Sequence, residues 1–287
     1  MPDAPHGFPT AETPEPGLTE VGDGVFAWLL PAVTGTANAG VVIDDDGITV
    51  IDTLMVRSQW EPFAAAVEAL DRPVKRTILT HAHIEQTGGT RAFPKTAIYG
   101  SPQTSRLLDG PMNVDAYKAF WPGFADELDD LAEIGTRPVT HVVSGAAQLT
   151  ARIEVLPAEG HTEGDLLVLV ADVDTCFAGG MCSFGITPLA FQGDPATWAE
   201  VLDAVADLAE VIVPGHGPIG GERDVRVLQA YLRACVAAQG DVARLPAGLW
   251  DAWTERSRDI INVERADMLA RGDDDLPPSM LAAMGLS

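Results

Sequence analysis

His81 and His83 stand one residue apart, directly after a strand-like run over residues 74–79. That placement puts two imidazoles at the end of a strand. Imidazole nitrogen is the commonest protein ligand for metals, and paired histidines with a nearby carboxylate build zinc and non-haem iron sites. Glu85 offers such a carboxylate two residues further on, and Gln86-Thr87-Gly88-Gly89 follows it. These residue types at this spacing point to a metal centre that activates water or polarises a carbonyl.

The elements that must position these side chains are legible from patterning. Residues 25–30 and 40–43 read as neighbouring strands, and Asp44-Asp45-Asp46-Gly47 as a turn into a third strand over 48–51 that ends at Asp52. Ser58 is placed to cap a helix running to Leu70, with Phe63, Val67 and Leu70 at helical spacing. The run 74–79 is expected as a buried strand, 96–99 as a further strand, and a helix from Pro102. Residues 111–138 break the alternation. They read as a helical insertion whose Tyr117, Phe120, Trp121 and Phe124 either pack inward or cover an active-site mouth. A second series of strands is expected at 152–156, 166–170, 175–178 and 211–213, with a helix over 195–208. From Glu222 onward the chain reads as helical, with Leu228, Tyr231, Leu232 and Cys235 at helical spacing. Residues 1–17, rich in Pro, Thr, Glu and Gly, read as a loose N-terminal arm. The remainder divides into a main domain over 18–221 and a helical extension over 222–287 packed on the same domain.

Composition narrows the function. Of 287 residues, 42 are acidic and 18 basic, for a net charge of −24. Nucleic-acid binding needs Lys and Arg to neutralise phosphate, so no nucleic-acid partner is expected. No apolar run approaches the roughly 18 residues of a membrane span, and no signal peptide is visible. Three cysteines, Cys176, Cys182 and Cys235, give no even disulfide framework and suit a cytoplasmic protein. The expected partner is a small-molecule substrate. Leu249, Trp250 and Trp253 suit either intramolecular packing, the preferred reading, or a homodimer contact.

Four segments in order resemble the motifs of the metallo-β-lactamase superfamily. They are Thr49-Val50-Ile51-Asp52-Thr53, Thr80-His81-Ala82-His83-Ile84-Glu85-Gln86, Gly160-His161-Thr162-Glu163-Gly164-Asp165 and Val213-Pro214-Gly215-His216-Gly217-Pro218. The resemblance spans about residues 20–221 and implies a four-layer αββα sandwich. It implies His81, His83 and His161 as ligands of one metal, and Asp52 and Asp165 as carboxylates supporting those ligands from behind. Departures are equally plain. Where the family reads His-x-His-x-Asp-His, this chain has Glu85 and Gln86, and Gly180 replaces the carboxylate that bridges two metals. Glu85 and His216 are at most additional ligands. One metal is therefore expected, zinc first, with Fe(II) or Mn(II) as alternatives. Cys182 reaches the site only if its strand register shifts.

On that resemblance the expected activity is metal-dependent hydrolysis of a small ester, lactone, thioester or amide. Glu85 would handle the proton of the metal-activated water, and His216 or Gln86 would steady the oxyanion or leaving group. Two other readings stay open: a mononuclear iron oxygenase or a metal-dependent lyase or isomerase, and a non-catalytic binding protein on an enzyme scaffold.

Overall fold

The computed structural model describes residues 17–286. The expected arm, with His6, lies outside the described residues except for Gly17. Seven strands form the first sheet in sequence order: β1 (Leu18–Gly22), β2 (Val25–Trp28), β3 (Ala39–Asp44), β4 (Gly47–Ile51), β5 (Val74–Ile78), β6 (Ala97–Gly100) and β7 (His141–Val142). Pairing is antiparallel from β1 to β4 and parallel from β4 to β7. The second sheet contains β8 (Ala147–Gln148), β9 (Ile153–Ala158), β10 (Asp165–Val170), β11 (Thr175–Ser183) and β12 (Val211–His216). It is antiparallel except for the β11–β12 pair.

Strand alternation builds the layers. In β3 and β4, Val41, Ile48 and Val50 face outward onto α1 (Arg57–Glu68), where Phe63 and Val67 meet them together with Trp28. Their neighbours Val42 and Ile51 face inward to Val155, Val168, Phe177 and Val213 of the second sheet. The outer face of the second sheet is covered by α6 (Pro195–Ala206) and α7 (Glu222–Ala237), through Trp198, Leu202, Leu228 and Leu232. The result is the four-layer αββα sandwich, as expected. Truncating an anchor such as Phe63 or Trp198, both fully buried, to Ala would cost about 3–5 kcal/mol.

Around this frame lie α2 (Ile84–Thr87), α3 (Pro102–Leu108), the insertion helices α4 (Val114–Phe120) and α5 (Ala125–Ile134), and the C-terminal helices α8 (Asp259–Ala270) and α9 (Pro278–Ala283). Three local expectations differ from the structure. Ser58 lies inside α1 and does not cap it; its N–H and hydroxyl are taken by Glu127 of α5, at 2.8 Å each. The strand β5 is buried only at Thr77 and Ile78, because Lys75 is exposed. β11 runs five residues past Ala178, since Gly179 and Ser183 stay paired with Pro214 and His216. Along it Met181 and Cys182 both pack into the core against α6 and α7, which leaves Cys182 away from the histidines. Trp250 is buried in that same core, Trp253 packs against it, and Leu249 is exposed. Among the described residues no helix is long and apolar enough to cross a membrane.

Candidate metal centre

The loop after β4 and the loop after β5 interlock to present His81 and His83. Asp52 and Leu54 adopt left-handed backbone, with φ of 57° and 65°, a conformation that Asp tolerates better than Leu. The turn lets Thr53 donate through its N–H and hydroxyl to the Gln86 carbonyl, at 2.7 and 3.0 Å, while Gly89 N–H donates to Leu54 O. Gly88 and Gly89 are required here. A Cβ at either would stand 2.0 Å from Met55 O or 2.1 Å from Thr53 O.

His81 and His83 end this strand–loop unit, and His161 joins them from the loop between β9 and β10. Their candidate ligand atoms all lie within 4.8 Å of one another. His83 Nδ1 is 3.1 Å from both His81 Nε2 and His161 Nε2. A tetrahedral zinc with bonds of about 2.0–2.1 Å sets its donors about 3.3–3.4 Å apart, close to this spacing. The donor chemistry fits as well. Burial holds the imidazoles of His81 and His161 well below the usual range, helped by the neighbouring histidines. Neutral nitrogens that converge on one point are what a cation needs.

Partners behind the rings fix two of the three tautomers. Asp52 accepts from Thr80 N–H and Thr80 Oγ1–H, both at 2.8 Å. The Thr80 hydroxyl, committed as donor to Asp52, accepts from His81 Nδ1 at 3.1 Å, so His81 Nε2 carries the free lone pair. His83 Nε2 donates to Gln192 Oε1 at 2.8 Å, which turns His83 Nδ1 to the centre. The Phe191 ring stacks on His83 at 5.3 Å between centroids. Asp165 closes the His161 turn by accepting from Thr162 N and Oγ1, each at 2.8 Å. Burial pushes the carboxyls of Asp52 and Asp165 up to about 7, against the Thr80 and Thr162 hydrogen bonds. His161 Nδ1 is buried with no partner among the described residues.

The other candidate residues stand apart from this triad. Glu85 Oε1 lies 4.0 Å from His83 Nδ1. His216 ends β12 and donates from Nδ1 to Thr36 O at 2.7 Å; burial lowers its proton affinity. Gln86 is fully buried, and neither end of its amide has a partner among the described residues. At Gly180 a Cβ would meet His161 Cδ2 at 2.1 Å and Nε2 at 2.6 Å, so the His161 ring fills the space of a side chain there. His141 is exposed on β7 against Tyr99.

Two cavities meet at His83. The inner one, about 30 Å³, is lined by His83, His161, Glu85, Ser183, His216 and Arg258 among others. A larger chamber of about 210 Å³ opens beside it, walled by Tyr117, Phe120 and Trp121 of the insertion, Leu189 and Phe191, and Met280 and Met284 at the C-terminal end. The insertion thus covers the mouth of the site. Arg258, Gln192 and Phe191 were not foreseen from the sequence. The C-terminal extension braces the loop that carries the last two. Asn262 accepts from Ala190 N and donates to Pro188 O, and the buried Arg265 donates to Gly193 O, all within 2.8–2.9 Å.

Fold and site together define an αββα sandwich with a histidine triad able to hold a metal ion. The family model of the metallo-beta-lactamase superfamily matches residues 32–216, and the chain belongs to that superfamily. Among curated proteins it is similar to the uncharacterized protein YobT of Bacillus subtilis (strain 168), 25% identical over 218 residues, covering 69% of this chain and 90% of that one. Among solved structures it is similar to the metallo-beta-lactamase FIM-1 from Pseudomonas aeruginosa in its mono-zinc form. That match has a TM-score of 0.60 and 18% identity, over 82% of this chain and 99% of the other. A metallo beta lactamase from Hirschia baltica matches with a TM-score of 0.59 and 20% identity, over 76% and 97%. At these identities the solved structures establish the shared fold.

Proposed function

We propose that the protein is a mononuclear metallohydrolase acting on a small ester, lactone, thioester or amide. The observation that carries this reading is the convergence of His81 Nε2, His83 Nδ1 and His161 Nε2 beside a cavity that also holds a carboxylate and a cation. His81, His83 and His161 would hold the ion, most simply zinc, beside the inner cavity. A bound zinc supplies Lewis acidity and lowers the pKa of a coordinated water toward about 7. Glu85, 4.0 Å from His83 Nδ1, is placed to accept a proton at the edge of that cavity. His216 keeps its Nδ1 proton on Thr36 O, so its Nε2 is the nitrogen left to meet a reacting group. The aromatics Tyr117, Phe120 and Trp121 give the adjoining chamber a largely apolar wall.

A single ion is favoured because two of the positions that would hold a second are spent. Gly180 has no side chain and no room for one, and the buried Gln86 lines neither cavity. The test is elemental mass spectrometry of the purified protein and of His83→Ala, followed by a panel of esters, lactones and thioesters. About one zinc per chain, lost in the variant together with hydrolysis, is the expected result. Two ions per chain, or one iron with oxygen consumption, would overturn it.

A further inference from the structure

Arg258 is the charged group for which the metal centre gives no account. It comes from the start of α8, beyond the segment matched by the family model. In a chain of net charge −24, its guanidinium has no carboxylate within 4.0 Å among the described residues. Two neutral acceptors hold it, Thr187 O at 2.9 Å and Thr34 Oγ1 at 3.2 Å. Of its five N–H donors, three are left without a protein acceptor among the described residues, and the side chain lines the inner cavity. Burial disfavours its charge, a cost that an anion held there would offset. A fixed fork of this kind matches a carboxylate better than it matches any neutral group.

The chamber has the opposite chemistry. Its walls are Tyr117, Phe120, Trp121, Leu189, Phe191 and the two methionines, and its acidic member is Glu85. An anion placed in the chamber would meet Glu85 with no cation to balance it. In the inner cavity Arg258 balances Glu85. We propose that the site binds small amphiphilic carboxylates, with the carboxylate on Arg258 and an apolar acyl or aromatic body in the chamber formed by α4 and the C-terminal helix. This names the substrate class of the hydrolase reading, and rests on that reading only for the bond to be cut. That bond would lie where the two cavities meet at His83.

Binding read without turnover tests it. Isothermal titration at pH 8 with hexanoate, hexanamide and acetate uses the full-length protein as purified, then the same protein dialysed against a chelator. Hexanoate should bind about tenfold or more tighter than hexanamide, the scale of a charge-assisted hydrogen bond, and tighter than acetate. Arg258→Met should bring hexanoate down to the level of hexanamide, while unchanged hexanamide binding reports an intact chamber. Arg258→Lys should keep part of the preference. Met280→Ala with Met284→Ala should weaken hexanoate and leave the carboxylate-to-amide ratio in place. Equal affinity for hexanoate and hexanamide in the parent protein overturns the proposal, as does a carboxylate preference that survives Arg258→Met or vanishes on removal of metal. Absence of hydrolysis would refute the hydrolase reading and leave these binding results standing.

Discussion

Replacing Gly180 by Ala is the sharpest probe of how the metal centre is packed. The new Cβ would stand 2.1 Å from His161 Cδ2 and 2.6 Å from His161 Nε2, both well inside the 3.4 Å at which ordinary contact begins. Neither partner can retreat. Gly180 belongs to β11, whose pairing to β12 holds the strand at Gly179 and Ser183 on either side of it. The His161 ring is backed by the fully buried Trp198, with centroids 5.2 Å apart, and flanked by His81 and His83 at 4.8 Å each. Relief must come from swinging His161 off the common point, which removes one of three candidate ligands. Overpacking of this kind costs about 1–3 kcal/mol of stability. Loss of geometry around a ligand costs about 10–100-fold in metal affinity, and displacing the ligand itself should reach or exceed the upper figure. The assay is competition for zinc against a chromophoric chelator at pH 8, with chemical denaturation of the metal-free protein alongside. Zinc affinity within threefold of the parent protein would refute the reasoning, because it would mean the centre has slack that this packing excludes. Gly180→Asp should fail in the same way and should not create a second site.

Two further outcomes follow from the support behind the rings. Asp52→Asn leaves one oxygen to face the two donors of Thr80, so the Thr80 hydroxyl must turn and the His81 Nδ1 contact is lost; zinc affinity at pH 8 should fall about 10–100-fold, and an unchanged value in the same chelator competition would sink the relay from Asp52 through Thr80 to His81. The pH dependence of metal retention has a definite sign. Ligation needs neutral imidazole, and burial holds His81 and His161 well below the usual value, so protons at these two rings compete only at pH below about 6.5. Equilibrium dialysis between pH 8 and 5 should show retention that weakens as the Asp52 and Asp165 carboxyls take up protons near pH 7 and is lost outright only below about 6.5, whereas complete loss already at pH 7 would contradict the burial argument.

What the sequence disclosed and what it hid have different physical causes. The His81–His83 pair was legible because two ligands on one short loop need a fixed local spacing, and the alternating strands around it were legible because period-2 patterning is local too. Ser58 misled because its capping chemistry is generic, and a carboxylate from a helix some seventy residues away, Glu127, uses the same N–H and hydroxyl for an insertion contact. The end of β11 was hidden by Gly179-Gly180, which reads as a break. In the structure Gly179 takes φ of 49° beside Thr80, and the strand continues because parallel pairing to β12 satisfies its backbone. Gln192 and Arg258 carry no local signal at all. Each reaches the site through a loop or helix start whose position depends on contacts more than sixty residues distant in sequence.

Those two residues also change what the C-terminal extension is for. If it only covered the outer face of the second sheet, its polar side chains would point to solvent or to one another. Instead Asn262 and Arg265 turn toward residues 188–193 and satisfy backbone groups that would otherwise be buried without partners, each worth about 1–3 kcal/mol if orphaned. That loop in turn supplies the Gln192 oxygen that selects the His83 tautomer and the Phe191 ring stacked on it. From the same helix start Arg258 enters the inner cavity, and Met280 and Met284 close the chamber. The segment matched by the family model contains the three histidines, but the bracing of the loop that orders one of them, and the arginine of the inner cavity, come from outside it. Removing the extension should therefore disable the centre even with every ligand still present in the chain.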